Sequence, residues 1–129
     1  MLVLLIEDDV LISQSMSAAI TAQGHSMLWA ATCDEACRLL VAEHDIQVIV
    51  LDLWLREERA EDLIYELRAT CATLPPVIIH SGQDMDEIFK VAEAVGASAA
   101  LQKPSSAQDL LETMGRVVEQ TKLNELDDL

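Results

Sequence analysis

Aromatic residues are nearly absent: two Trp, one Tyr and one Phe make up 3% of 129 residues. A core must therefore be built from Leu, Val, Ile, Ala and Met, and a hydrophobic content of 51% supplies enough of them. Cysteine is also scarce. Three residues, an odd number with no CxxC spacing, make no disulfide framework and suit a reducing compartment. A single domain of this size needs no staple, because it buries about two-thirds of the surface its unfolded chain exposes. Basic residues are few: eight Lys and Arg face 23 Asp and Glu, a net charge of −15 with neutral histidines. Such a chain repels phosphate backbones and anionic lipid, so neither nucleic acid nor membrane is an expected partner. Apolar runs stop at five or six residues, far short of the roughly 20 that span a bilayer. Met1–Ile6 runs straight into acids, without a basic leader and cleavage site. The expectation is one soluble, cytoplasmic domain.

What is present alternates between two periods. Leu2–Ile6 is a short unbroken apolar run, the pattern of a strand buried on both faces. Leu11, Ser15, Ala18, Ala19 and Ala22 then share a helical face with Ile12, Met16 and Ile20 beside it, and Gly24 stands where a helix-ending glycine belongs. Met27–Ala30 reads as a second strand. Thr32 with Glu35 reads as a capping box opening a helix to about His44. Gln47–Leu53 is the most strand-like run, and Glu61–Ala69 carries Leu63, Ile64 and Leu67 at helical spacing. Pro75-Pro76 precedes the buried run Val77–Ile79. Asp84 with Glu87 caps a helix over Met85–Val95 that Gly96 ends. Ser98–Leu101 is a fifth strand, and Ser105 with Gln108 caps a last helix containing Leu110, Leu111, Met114, Val117 and Val118. Five strands alternating with five helices predict an α/β fold: a parallel sheet with helices on both faces, its ligands outside the strands' C-terminal ends. Residues 121–129 read as an acidic tail, free to fray, or a helix extension.

Those strand ends carry chemistry. The first ends in Glu7-Asp8-Asp9, the third carries Asp52, the fourth ends in His80-Ser81-Gly82 and the fifth in Gln102-Lys103-Pro104. Two carboxylates about 4 Å apart repel by about 4 kcal/mol at an effective dielectric near 20. A hard divalent cation relieves that repulsion, and Mg²⁺ binds through one or two carboxylates while keeping waters. A carboxylate can also act as a nucleophile toward phosphorus.

Together, in order, these segments resemble the receiver domain of bacterial two-component response regulators, over residues 1–120. The resemblance implies a doubly wound, flavodoxin-like (βα)5 fold with strand order 2-1-3-4-5. It implies Asp52 as phosphoacceptor, with Ser81 and Lys103 on the phosphoryl group. Mg²⁺ would be held by Glu7, Asp8, Asp52 and the Trp54 backbone carbonyl. It also implies a cis Lys103-Pro104 bond and a histidine kinase or phosphotransfer protein as donor. Output to another protein would pass over the fourth helix, fifth strand and fifth helix. The function so implied is a stand-alone switch that catalyses its own phosphorylation and slow dephosphorylation and is not otherwise an enzyme.

The sequence departs from that pattern at two places. Receivers usually carry Tyr or Phe three residues before the lysine, where Ala100 stands here. Arg56 and Ala60 replace the usual Pro and Gly after Asp52, so the third helix is expected to extend toward its N-terminus. Trp54 is expected to cover the acyl phosphate and slow hydrolysis. The alternatives are a phosphorylation-independent binding module or phosphate sink of the same fold, or a phosphatase. The last conflicts with Trp54, because phosphatases place a second Asp there. Asp9 reads as a first-turn helix acid and His80 as a packing residue turned away from the site. Cys33 and Cys37, half a zinc site at most, read as small apolar residues.

Overall fold

The computed structural model describes residues 1–55 and 58–127. Twelve elements follow in order: β1 (Leu2–Ile6), α1 (Val10–Ala22), β2 (Ser26–Ala30), α2 (Cys33–Ala42), β3 (Val48–Leu51), β4 (Trp54–Leu55), β5 (Glu58–Arg59), α3 (Ala60–Thr70), β6 (Val77–Ser81), α4 (Met85–Val95), β7 (Ala99–Gln102) and α5 (Ala107–Asp127). Five strands form one parallel sheet in the order β2-β1-β3-β6-β7. Numbered among themselves, these run 2-1-3-4-5, as expected. β4 and β5 stand apart as a small antiparallel pair.

Period-two alternation sorts the strand residues into two cores. Leu4, Ile6, Ile49, Leu51, Val77 and Ile79 pack with α2, α3 and α4 residues such as Leu40, Leu67 and Ile88. Val3, Leu5, Val48, Val50 and Ile78 pack on the other face with Met16 and Ile20 of α1 and Met114 of α5. The central strands β1, β3 and β6 are almost wholly enclosed, and each fully buried Leu or Ile contributes roughly 1.5–3 kcal/mol. Apolar residues on both faces are the reason these runs read as continuous rather than alternating.

Side-chain caps fix the helix starts. The Asp9 carboxylate accepts from the Leu11 and Ile12 N–H groups at 2.9 and 3.1 Å. The Thr32 hydroxyl accepts from Glu35 N–H at 3.2 Å, and the Glu35 carboxylate reaches back to Ala31 N–H at 2.8 Å. The Asp84 carboxylate accepts from Glu87 N–H at 2.9 Å, and Gly96 closes α4 with φ +69°.

Three expectations are corrected. α3 begins at Ala60, because the preceding Trp54–Leu55 and Glu58–Arg59 pair as strands; it does not extend backward. Arg56 and Glu57 lie outside the described residues. The α5 cap is Ser106, whose Oγ accepts from Asp109 N–H at 2.9 Å, while the Ser105 hydroxyl meets His80 Nε2 at 2.9 Å. α2 ends at Ala42 rather than His44. Thr121–Asp127 continues α5 as helix. Among the described residues no helix is long and apolar enough to cross a membrane.

Candidate functional site

Strand pairing brings the separated acids together. β1 pairs with β3, and Asp52 N–H donates to the Ile6 carbonyl at 3.2 Å, so Asp52 leaves the sheet beside Glu7. Glu7 is itself held by its backbone: its N–H donates to Ala30 O at 3.0 Å, and its carbonyl accepts from the Trp29 indole at 2.6 Å. One carboxylate oxygen from each of Glu7, Asp8 and Asp52 falls within 4.8 Å of the others. Asp9 is absorbed by its capping role at α1.

Lys103 enters this cluster from the far side of the sheet. Its N–H donates to the Ser81 carbonyl at 2.6 Å, and the Lys103-Pro104 bond is cis, as expected. Its Nζ lies 3.3 Å from Glu7 Oε2 and 3.4 Å from Asp52 Oδ2. The Lys103, Glu7 and Asp52 side chains are 19%, 3% and 13% exposed. Screening by water is therefore weak, and the charges interact strongly. Burial, reinforced by the nearby Asp52, raises the Glu7 carboxyl to about 7 although Lys103 opposes this. The site holds more negative charge than one ammonium neutralises.

Ser81 ends β6, and its Oγ accepts from Gln83 N–H at 3.2 Å. His80 is buried and directed away from the cluster, to Ser105. Burial, with Lys103 contributing, lowers its imidazole to about 4, so it is neutral at pH 7. The Trp54 backbone lies in β4; its side chain lies outside the described residues. Ala100 sits on the edge strand β7, in register with Ile79.

Three contributors escape sequence reasoning. Trp29 anchors the Glu7 backbone, Glu58 accepts from Cys33 N–H at 3.0 Å, and Gln102 Nε2 donates to Gln83 O at 3.0 Å. Each is a contact between distant segments, with no local motif to mark it.

Residues 3–115 match the family model described as the response regulator receiver domain. The chain belongs to this family. It is 31% identical over 122 residues to a protein of Rickettsia conorii named as an NtrX-like response regulator, covering 94% of this chain and 26% of that one. The chain thus spans about a quarter of the length of the curated relatives it matches. A response regulator receiver domain of Clostridium thermocellum superposes with a TM-score of 0.82 at 27% identity, over 95% of this chain and 97% of that one. NtrX of Brucella abortus, solved with ADP, gives 0.87 at 25% identity, over 98% of this chain and 29% of that one. A receiver domain is the regulated part of a signalling switch and takes its signal from histidine kinases in general.

Proposed function

We propose that Asp52 is the phosphoacceptor of this receiver, taking a phosphoryl group from a histidine kinase or phosphotransfer protein. The observation that carries the reading is buried Glu7 beside half-buried Asp52 and Asp8, with Lys103 bridging two of the three carboxylates. All the donors are hard oxygens, a set that fits Mg²⁺, and the excess negative charge favours a divalent cation. Glu7, Asp8 and Asp52 would hold it, with the Trp54 carbonyl as the fourth protein ligand by family resemblance. When bound, Mg²⁺ neutralises the oxygens of the group in transfer.

The remaining chemistry belongs to the side chains. An Asp52 oxygen forms the new bond to phosphorus as the bond from phosphorus to the donor imidazole nitrogen breaks, leaving the imidazole to the donor. The Lys103 ammonium, already 3.4 Å from Asp52, pairs with a phosphoryl oxygen. Ser81 accepts Gln83 N–H through an Oγ lone pair, which leaves its hydroxyl proton for a second phosphoryl oxygen. Attack of water on the acyl phosphate breaks the bond between phosphorus and the Asp52 oxygen, returning the carboxylate and releasing inorganic phosphate. Borohydride reduction of the phosphorylated protein tests the assignment: homoserine at position 52 is expected, and homoserine elsewhere would overturn it.

The NtrX-like relatives carry their matching segment within longer proteins, so the proposal is confined to the receiver's own chemistry. Output over α4, β7 and α5 is the family's expectation. Ala100 favours a second reading, a binding module or phosphate sink, because its methyl cannot rotate to report the state of the site. Equal partner affinity for wild type and Asp52→Asn would select that reading.

A further inference from the structure

The connection from Asp52 to α3 has neither of the residues that usually fix such a loop, since Arg56 and Ala60 stand where Pro and Gly are expected. The described residues on either side of positions 56 and 57 pair with each other instead. β4 and β5 are two residues each, with Trp54 opposite Arg59 and Leu55 opposite Glu58. A strand pair this short is marginal alone and needs outside support. Leu53 and Leu55 supply an apolar part of it, 4% and 5% exposed in the core beneath α2 and α3.

The polar part is Glu58. Its carboxylate oxygens lie 3.0 and 3.4 Å from the backbone N–H of Cys33, the first residue of α2. Helix N-termini leave their first N–H groups without partners, and a negative charge there is favoured by the helix dipole. Thr32 serves Glu35 N–H, so the Cys33 N–H is available to Glu58 across 25 residues of sequence. The Cys33 thiol stays protonated, pushed up to about 12 by burial and then by Cys37, with a smaller contribution from Glu58. Cys33 therefore contributes its N–H and no competing charge.

We infer that Glu58 is a positioning residue that clamps the segment leaving Asp52 onto the N-terminus of α2, and so sets the affinity of the carboxylate site for Mg²⁺. The inference rests on the receiver reading above. Through the pairing of Trp54 with Arg59 and Leu55 with Glu58, the clamp holds β4, and with it the Trp54 carbonyl assigned to the metal. A partner of a ligand-bearing segment acts as the outer shell of a metal site, where losses of about tenfold in affinity are usual.

The test uses Glu58→Ala, Glu58→Gln and Thr32→Ala, with exchange of the Cys33 amide followed by NMR and Mg²⁺ affinity measured by calorimetry. Glu58→Ala is expected to speed Cys33 exchange by about tenfold, the factor a charge-assisted hydrogen bond supplies. It is also expected to weaken Mg²⁺ by about tenfold. Glu58→Gln keeps an acceptor oxygen and restores most of both. Thr32→Ala loosens the α2 cap alone and lowers Tm with Mg²⁺ affinity unchanged. Unchanged Cys33 exchange in Glu58→Ala overturns the clamp. Equal Mg²⁺ weakening in Thr32→Ala, or no rescue by Gln, overturns the positioning role. Wild type that binds no Mg²⁺ would sink the receiver chemistry and the clamp's effect on metal affinity with it, while the exchange measurement still decides the clamp itself.

Discussion

At the scale of single residues, the account turns on three carboxylates and one ammonium sharing a poorly solvated edge. In metal-free buffer this crowding opposes folding, so removing one charge should help. Asp52→Asn is expected to raise unfolding stability in EDTA by about 1 kcal/mol, and Lys103→Met to lower it by about as much. Urea titrations read both, and a destabilised Asp52→Asn protein would contradict the repulsion. His80 provides a separate test by pH. Its folded-state value of about 4 lies below the ordinary value of 6.5, so between those limits the unfolded chain binds the extra proton. The stabilisation is complete above pH 6.5 and lost as pH falls toward 4, roughly 3 kcal/mol in all. Glu7, raised in the folded state, acts oppositely between its ordinary value and about 7. The difference between wild type and His80→Gln isolates the histidine: their stability gap should shrink as pH drops from 7 to 4.5, and a constant gap would refute the assignment.

At the scale of elements, helix ends offer the sharpest comparison. Gly96 and Gly24 both hold positive φ, +69° and +81°. A Cβ at Gly96 would lie 3.1 Å from the Arg68 guanidinium, which donates to Val95 O, whereas at Gly24 it would meet nothing within 4 Å. Gly24→Ala should cost about 1 kcal/mol, the backbone penalty alone, and Gly96→Ala more. Equal losses would show that Arg68 yields freely. The elements that were legible in the sequence are those with local causes: apolar runs gave β1, β3 and β6, and the acids and hydroxyls of Asp84 and Thr32 gave helix starts. The β4–β5 pair was not, because two-residue strands have no period and Glu58 finds its partner on α2. Ser105 and Ser106 are adjacent hydroxyls of equal capping ability, and only His80, which takes Ser105, separates them. Site residues at strand ends were legible from the alternation of elements, whereas the Trp29 hold on Glu7 depends on β2 lying beside β1.

At the scale of the whole molecule, the sheet order makes one edge of sequence positions that lie 96 residues apart, Glu7 and Lys103. The sheet's two cores pack on either face behind that edge, and one ammonium of this acidic chain, Lys103, reaches the carboxylates there. Ser81, Gln83 and Gln102 tie the loops at that edge together by hydrogen bonds. The most direct test of acceptor chemistry is intact-mass spectrometry after incubation with acetyl phosphate, comparing wild type with Asp52→Asn, with and without Mg²⁺. The account predicts one added phosphoryl group on wild type with Mg²⁺ and none in the other three samples. An adduct on Asp52→Asn, or one formed equally well in EDTA, would contradict it.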